Sequence, residues 1–179
     1  MKVTPAKIPE VLVLEPQVFT DSRGFFFESF NQRDFQSILP KGTQFVQDNH
    51  SHSVKNVLRG LHFQKENPQG KLVRVSYGAV FDVVVDVRKE SKTFGQWEGF
   101  TLSGENKKIL WIPPGFAHGF LVLSEEVDFL YKTTEYYDPK NEICLRWNDP
   151  HVSITWPLEG EPILSPKDSK GLFLNQISD

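Results

Sequence analysis

The feature that most constrains this chain is its punctuation: short stretches rich in β-branched and aromatic residues, at 11–14, 24–30, 57–63, 72–87, 99–102, 108–112, 119–123 and 129–134, are each closed by Gly, Pro, Asn or Asp. That composition predicts strands rather than helices. Many short strands with almost no helix predict a sandwich or barrel. The stretch 72–87 is too long for an ordinary strand, and Tyr77-Gly78 in its middle predicts a turn or bulge that bends it. A single helical pattern stands out: Asn31 can cap it, Phe35, Ile38 and Leu39 share a face, and Gly42 can close it after Pro40. Strict alternation in 81–88 places Asp82, Val84, Asp86 and Arg88 on one face and Phe81, Val83, Val85 and Val87 on the other, the second face being the expected core.

With 179 residues, 39% hydrophobic and 13% aromatic, the chain can build one sizeable core but not comfortably two. No repeat or low-complexity tract divides it, so one domain spanning residues 1–179 is expected. A net charge of -3, a pI near 6.0 and scattered Lys and Arg offer no field for nucleic acid. The apolar stretch 109–123 is broken by Pro113, Pro114 and His118, which excludes a spanning helix, and no signal-peptide core follows Met1. The expectation is a soluble cytoplasmic protein with no membrane partner. Cys144 is the only cysteine, which excludes an internal disulfide and a multi-cysteine zinc site and fits an intracellular setting.

Chemistry first shows in Leu58-Arg59-Gly60-Leu61-His62-Phe63-Gln64, where alternation sets Arg59, Leu61 and Phe63 on one face and Leu58, Gly60, His62 and Gln64 on the other. A histidine in such a strand is either a packed, hydrogen-bonded residue or a catalyst, and the segment alone leaves both readings open. Pro113-Pro114-Gly115-Phe116-Ala117-His118 matches the Pro-x-Gly-x-x-His half-motif of cupins. Cupins often bind a metal through a His-x-His pair, a following glutamate and this third histidine. His50-Ser51-His52 offers the pair, but no carboxylate follows at ligand spacing, and Arg59 and Lys71 add positive charge. The pattern suggests the barrel and not the metal.

Several motifs in order then resemble one family. Asp21-Ser22-Arg23-Gly24-Phe25-Phe26-Phe27-Glu28, Gln47-Asp48-Asn49, 58–64, Gln69-Gly70-Lys71-Leu72-Val73-Arg74, 113–120, 131–137, Trp147-Asn148-Asp149-Pro150 and 164–168 are similar to the motifs of dTDP-4-dehydrorhamnose 3,5-epimerases and cover nearly the whole chain. The resemblance implies an all-β, cupin-like jelly-roll barrel with a few short helices, working as a homodimer without metal or organic cofactor on a dTDP-linked 4-keto-6-deoxy sugar. It implies His62 as the base, Asp168 as its partner, Lys71 as the stabiliser of the C4 enolate and Tyr131 as the acid on the opposite face. By themselves, Lys71 would read as a surface lysine, Tyr131 as core and 167–170 as a solvated turn. The resemblance also assigns Arg23, Arg59 and His118 to the diphosphate and sugar, Tyr137 to stacking on thymine, and Glu28, Gln47, Asn49, Glu142 and Lys167 to further ligand contacts. It implies exchange of the N-terminal strand between subunits, so that residues of 23–28 line the partner's site. The motifs do not separate a double epimerase from a relative that inverts only C3 or C5. A metal-dependent cupin and a non-enzymatic sugar-binding barrel are the alternatives of other classes.

Overall fold

The computed structural model describes residues 1–177, and their architecture is that of two packed antiparallel sheets. The strands are β1 (Lys2–Pro5), β2 (Leu12–Glu15), β3 (Val18–Asp21), β4 (Gly24–Phe27), β5 (Gln47–Val54), β6 (Leu58–Gln64), β7 (Lys71–Tyr77), β8 (Ala79–Asp86), β9 (Trp97–Ser103), β10 (Ile109–Ile112), β11 (Phe116–Val122), β12 (Glu126–Thr133) and β13 (Glu142–Cys144). One sheet runs β1-β2-β10-β7-β12-β5 and the other β13-β6-β11-β8-β9, while β3 and β4 form a hairpin joined to neither. Helix α1 (Gln32–Ile38) is the one α-helix among the described residues.

Three apolar clusters order these layers. Val73, Val75, Leu110, Ile112 and Phe129 of the first sheet meet Val80, Val84, Phe116 and Phe120 of the second between the sheets. Leu58, Leu61, Val83, Val85 and Leu121 instead pack outward against Leu145, Val152, Trp156 and Leu174 of the C-terminal segment. Leu14, Leu72, Ile109 and Trp111 carry Phe35 and Leu39 on the far side of the first sheet. The sandwich is thus covered on both outer faces, which alters the expectation for 81–88. Val83 and Val85 are core, but Asp82, Val84 and Asp86 are equally buried, because their face is the sandwich interior.

The bend expected at Tyr77-Gly78 lies where the chain leaves β7 for β8 in the opposite sheet. Gly78 has φ +76°, and a Cβ there would stand 2.0 Å from the carbonyl oxygen of Glu126, so no other residue fits. The helix differs in how it ends. Asn31 caps it by accepting from the backbone N–H of Arg33 and Asp34, but Leu39 is already extended ahead of Pro40, as the residue before proline must be, and Gly42 lies in the turn beyond. Four strands were not signalled by their composition, β1, β3, β5 and β13. The strand β5, Gln47–Val54, is polar because Gln47, Asn49, Ser51 and Ser53 turn inward, where the candidate site lies.

Strict alternation also fails in β6. The register with β11 slips between His118 and Phe120, so Leu58 and Leu61, three residues apart, share the outer cluster. Arg59 and His62, expected on opposite faces, consequently both point into the sandwich. At the slip the two backbones approach closely enough that a Cβ on Gly60 would stand 2.6 Å from the Cα of Gly119.

Candidate active site

His62 sits on β6 between β11 and β13, opposite His118 on one side and Cys144 on the other. Its Nε2 lies 2.6 Å from Oδ1 of Asp168, the first residue of a 3-10 turn (Asp168–Lys170). The other carboxylate oxygen, Oδ2, accepts from the Ser165 hydroxyl at 2.8 Å, and the Asp168 N–H donates to that hydroxyl at 3.1 Å. Burial alone would raise the Asp168 carboxyl, but hydrogen bonds from His62, Ser165 and the Gly60 N–H, with the His62 charge, outweigh it and hold the group below the ordinary carboxylate range. An ionised Asp168 fixes a proton on Nε2, which leaves Nδ1 with a lone pair. Nδ1 faces Glu142 Oε1 at 3.8 Å.

Cys144 Sγ also lies 3.8 Å from Asp168 Oδ1; burial first, then the Asp168 charge, push its thiol up to about 12. His62, Cys144 and Asp168 could be read as a metal cluster, since their donor atoms lie within 4.8 Å of one another. The details do not fit an ion. Two ligands of one tetrahedral zinc, each about 2.0–2.2 Å from it, stand roughly 3.3 Å or more apart, whereas His62 and Asp168 are in direct contact at 2.6 Å. The cupin-type set is not assembled either. His50 and His52 point outward and share Asp128 Oδ1 at 3.1 and 3.0 Å, while His118 is buried between the sheets.

A second group of charges lies deeper. Lys71, the first residue of β7, is buried and donates from Nζ to the carbonyl of His62 at 3.1 Å. Burial pulls its ammonium down to about 8, against the raising influence of the Asp82 charge. Asp82, on β8, is fully buried; Oδ2 meets His118 Nε2 at 2.9 Å and Oδ1 has no hydrogen-bond partner among the described residues. Burial pushes the Asp82 carboxyl up, opposed by His118 and then Lys71.

The opposite wall comes from β5 and β12. Tyr131 faces Asn49 and Val73 across its two ladders, and burial raises its phenol against the pull of the Arg59 charge. Arg59 crosses the sandwich to donate from Nε to Ser53 Oγ at 3.0 Å and from Nη2 to the His52 carbonyl at 3.3 Å. Gln47 donates to Asn49 Oδ1 at 2.9 Å and accepts the Tyr137 N–H at 3.0 Å. Asn49 Nδ2 is buried without a partner among the described residues, an unmet donor that a polar ligand would satisfy. At the rim, Glu142 Oε2 accepts from the Tyr137 hydroxyl at 2.8 Å and from the Lys167 ammonium.

A titratable dyad, a buried ammonium and a phenol thus surround one polar interior. The family model for dTDP-4-dehydrorhamnose 3,5-epimerase matches residues 5–176. The chain belongs to the dTDP-4-dehydrorhamnose 3,5-epimerase family. It is 59% identical over 177 residues to the dTDP-4-dehydrorhamnose 3,5-epimerase of Salmonella typhimurium, covering 98% of this chain and 97% of that protein. It superposes with a TM-score of 0.97 and 51% identity on the dTDP-6-deoxy-D-glucose-3,5-epimerase of Legionella pneumophila in complex with dTDP-4-keto-L-rhamnose, covering 99% of this chain and 94% of that one. A relative of narrower name, the dTDP-4-dehydrorhamnose 3-epimerase of Streptomyces niveus, is 37% identical over 180 residues, covering 100% of this chain and 86% of that protein. The cupin-like, all-β architecture expected from the motifs is thus that of the family.

Two residues expected at the site of this family member make no hydrogen bond or ion pair with the others among the described residues. Arg23 is at the tip of the β3–β4 hairpin, its side chain 87% exposed and paired with Asp21 at 2.6 Å. Glu28 is exposed just beyond the hairpin. The others form one connected web, in which Asp82, Ser165 and Ser53 also take part although the motifs did not single them out as site residues. For Asp82 a signal was present, a carboxylate in the middle of the apolar run 79–87. Ser165 and Ser53 carry no signal that separates them from surface serines. Among the described residues no helix is long and apolar enough to cross a membrane.

Proposed function

We propose that this chain inverts both C3 and C5 of dTDP-4-dehydro-6-deoxy-D-glucose to give dTDP-4-dehydro-L-rhamnose, a step of dTDP-rhamnose biosynthesis, in the cytoplasm. The observation that carries the reading is the His62 to Asp168 contact of 2.6 Å, with a buried ammonium donating to the carbonyl of the same histidine. Hydrogens at C3 and C5 are acidic because the C4 ketone delocalises the resulting carbanion as an enolate. His62 removes each through Nδ1, and the ionised Asp168 stabilises the imidazolium that forms. Lys71 supplies positive charge to the enolate oxygen, and a donor preorganised in a buried site is worth more there than in water. Tyr131, kept neutral by burial, returns a proton to carbon from the other face of the ring, leaving a phenolate beside Arg59. Exchange with solvent then resets both groups.

Arg59 and His118 bind the diphosphate and sugar, Tyr137 stacks on thymine, and Gln47, Asn49, Glu142 and Lys167 add hydrogen bonds. Arg23 and Glu28 act in a partner's site within a homodimer. This assembly is supported by Phe19, Phe25 and Phe26, 55%, 59% and 70% exposed on a hairpin that joins neither sheet.

The relative named as a 3-epimerase keeps a single-centre reaction as the second reading. Converting the substrate in deuterated water separates the two: deuterium at both C3 and C5 of the product by NMR is expected, deuterium at one carbon assigns a single-centre enzyme, and none refutes epimerisation of this substrate.

A further inference from the structure

Gln64 is 3% exposed, two residues beyond His62 on β6, and every hydrogen-bonding end of its side chain is used. Oε1 accepts the Asp138 N–H at 2.8 Å, and Nε2 donates to the carbonyls of Asn67 at 3.0 Å and Tyr136 at 3.3 Å. The amide can face only this way, since a backbone N–H requires the oxygen and two carbonyls require the nitrogen. Between Tyr136 and Asp138 stands Tyr137, whose own N–H is held by Gln47 at 3.0 Å. Tyr136, Tyr137 and Asp138 belong to no strand, and the two tyrosines are 68% and 50% exposed, so burial of their rings does little to fix them. Two side-chain amides reaching out from β5 and β6 hold their backbone instead, while Glu142 holds the Tyr137 hydroxyl at 2.8 Å.

We infer that Gln64 is a positioning residue for nucleobase recognition: it sets the backbone on either side of Tyr137 so that the ring stands preformed as a stacking surface. The inference rests on the reading that Tyr137 stacks on thymine. Preorganisation lowers the cost of ordering the ring on binding, so its loss falls on ligands that carry the base. A carboxylate at position 64 could still accept from Asp138 but could give nothing to Asn67 and Tyr136, which makes Gln64→Glu nearly isosteric yet disruptive. Lys71 is held separately by its ladders to Ile112 and Thr133, so the chemical step is largely spared.

The test is calorimetric titration of dTDP and of inorganic pyrophosphate into wild type, Gln64→Glu, Gln64→Met, Tyr137→Ala and the double variant Gln64→Met/Tyr137→Ala. Both Gln64 variants should bind dTDP about tenfold more weakly and pyrophosphate within about twofold of wild type. The double variant should bind dTDP no more weakly than Tyr137→Ala alone, since Gln64 acts through that ring. Equal weakening of both ligands, unchanged dTDP affinity, or additive losses in the double variant would each overturn the inference. Unchanged dTDP affinity in Tyr137→Ala would remove the stacking reading, and the inference with it. Should both Gln64 variants fail to fold, hydrogen exchange on the unliganded wild type decides: slow exchange of the Asp138 amide, which Gln64 accepts, is expected, and exchange as fast as that of an unprotected loop contradicts it.

Discussion

Asp82 and Asp86 lie on one strand, on the same face and equally buried, yet their carboxyls are shifted in opposite directions. At the β8 end, Asp86 accepts from Arg88 N, Nε and Nη2, from Ser91 Oγ and from Thr93 Oγ1, at 2.6 to 3.0 Å. Burial opposes its charge, but these donors win and bring its carboxyl down to about 2. In mid-strand, Asp82 has one imidazole and a lysine's field, keeps one oxygen unpaired, and is pushed up instead. The difference teaches what separates a carboxylate closed into the structure from one left open to a proposed site. The first is closed by donors from its own following loop; the second is left underserved beside Lys71 and His118, the groups proposed to act on a ligand.

The largest expected effect sharpens the structural half of that contrast. Asp86→Asn should cost about 3 kcal/mol of stability, because Arg88, Ser91 and Thr93 lose the buried carboxylate on which they converge. Turnover by the folded protein should stay within about twofold, and denaturant unfolding beside steady-state kinetics checks both. Lys71→Gln should lower kcat about 100- to 1000-fold with little loss of stability, as expected of a removed oxyanion donor. Asp82→Asn should be milder, lowering kcat/KM about tenfold, because Lys71 and His118 remain but lose the charge that holds them, and unfolding free energy should change by less than about 1 kcal/mol. A strongly destabilised Asp82→Asn with normal turnover would erase the distinction between the two carboxylates.

The smallest effects are those of pH, and their signs differ. The folded-state value of Asp86 lies below its ordinary 3.8, so its contribution to stability is present above that value and lost as pH falls towards about 2. Asp82 is raised, so its ionisation opposes folding as pH climbs past 3.8. Acid unfolding of the wild type should therefore lose its steepest part in Asp86→Asn but not in Asp82→Asn. On the alkaline side, kcat/KM should fall as pH rises through about 8, where Lys71 loses its proton.

The same contrast explains what could be read from the sequence. Asp86 and its partners Arg88, Ser91 and Thr93 lie within one short segment, whereas Asp82 meets His118 across 36 positions and His62 meets Asp168 across 106. Local patterns carry the first kind of pairing, and only the fold, or a resemblance, carries the second. The apolar strands and the bend at Gly78 were legible because alternation and turn chemistry are local. The strand β5 was not, because its inward face is polar wherever it lines the site. In β6 strict alternation gives the wrong phase for a physical reason: the slip opposite Gly119 turns Arg59 and His62 to one side, and a period of two cannot signal its own interruption.

The most direct measurement of the central claim compares wild type with His62→Ala, following by NMR the exchange of substrate C3 and C5 hydrogens in deuterated water, with dTDP affinity measured alongside. Exchange at both carbons in wild type, its loss at both in the variant and an unchanged dTDP affinity are the expected result. Exchange that persists in His62→Ala would show that another group removes these protons and would contradict the role given to the His62–Asp168 pair.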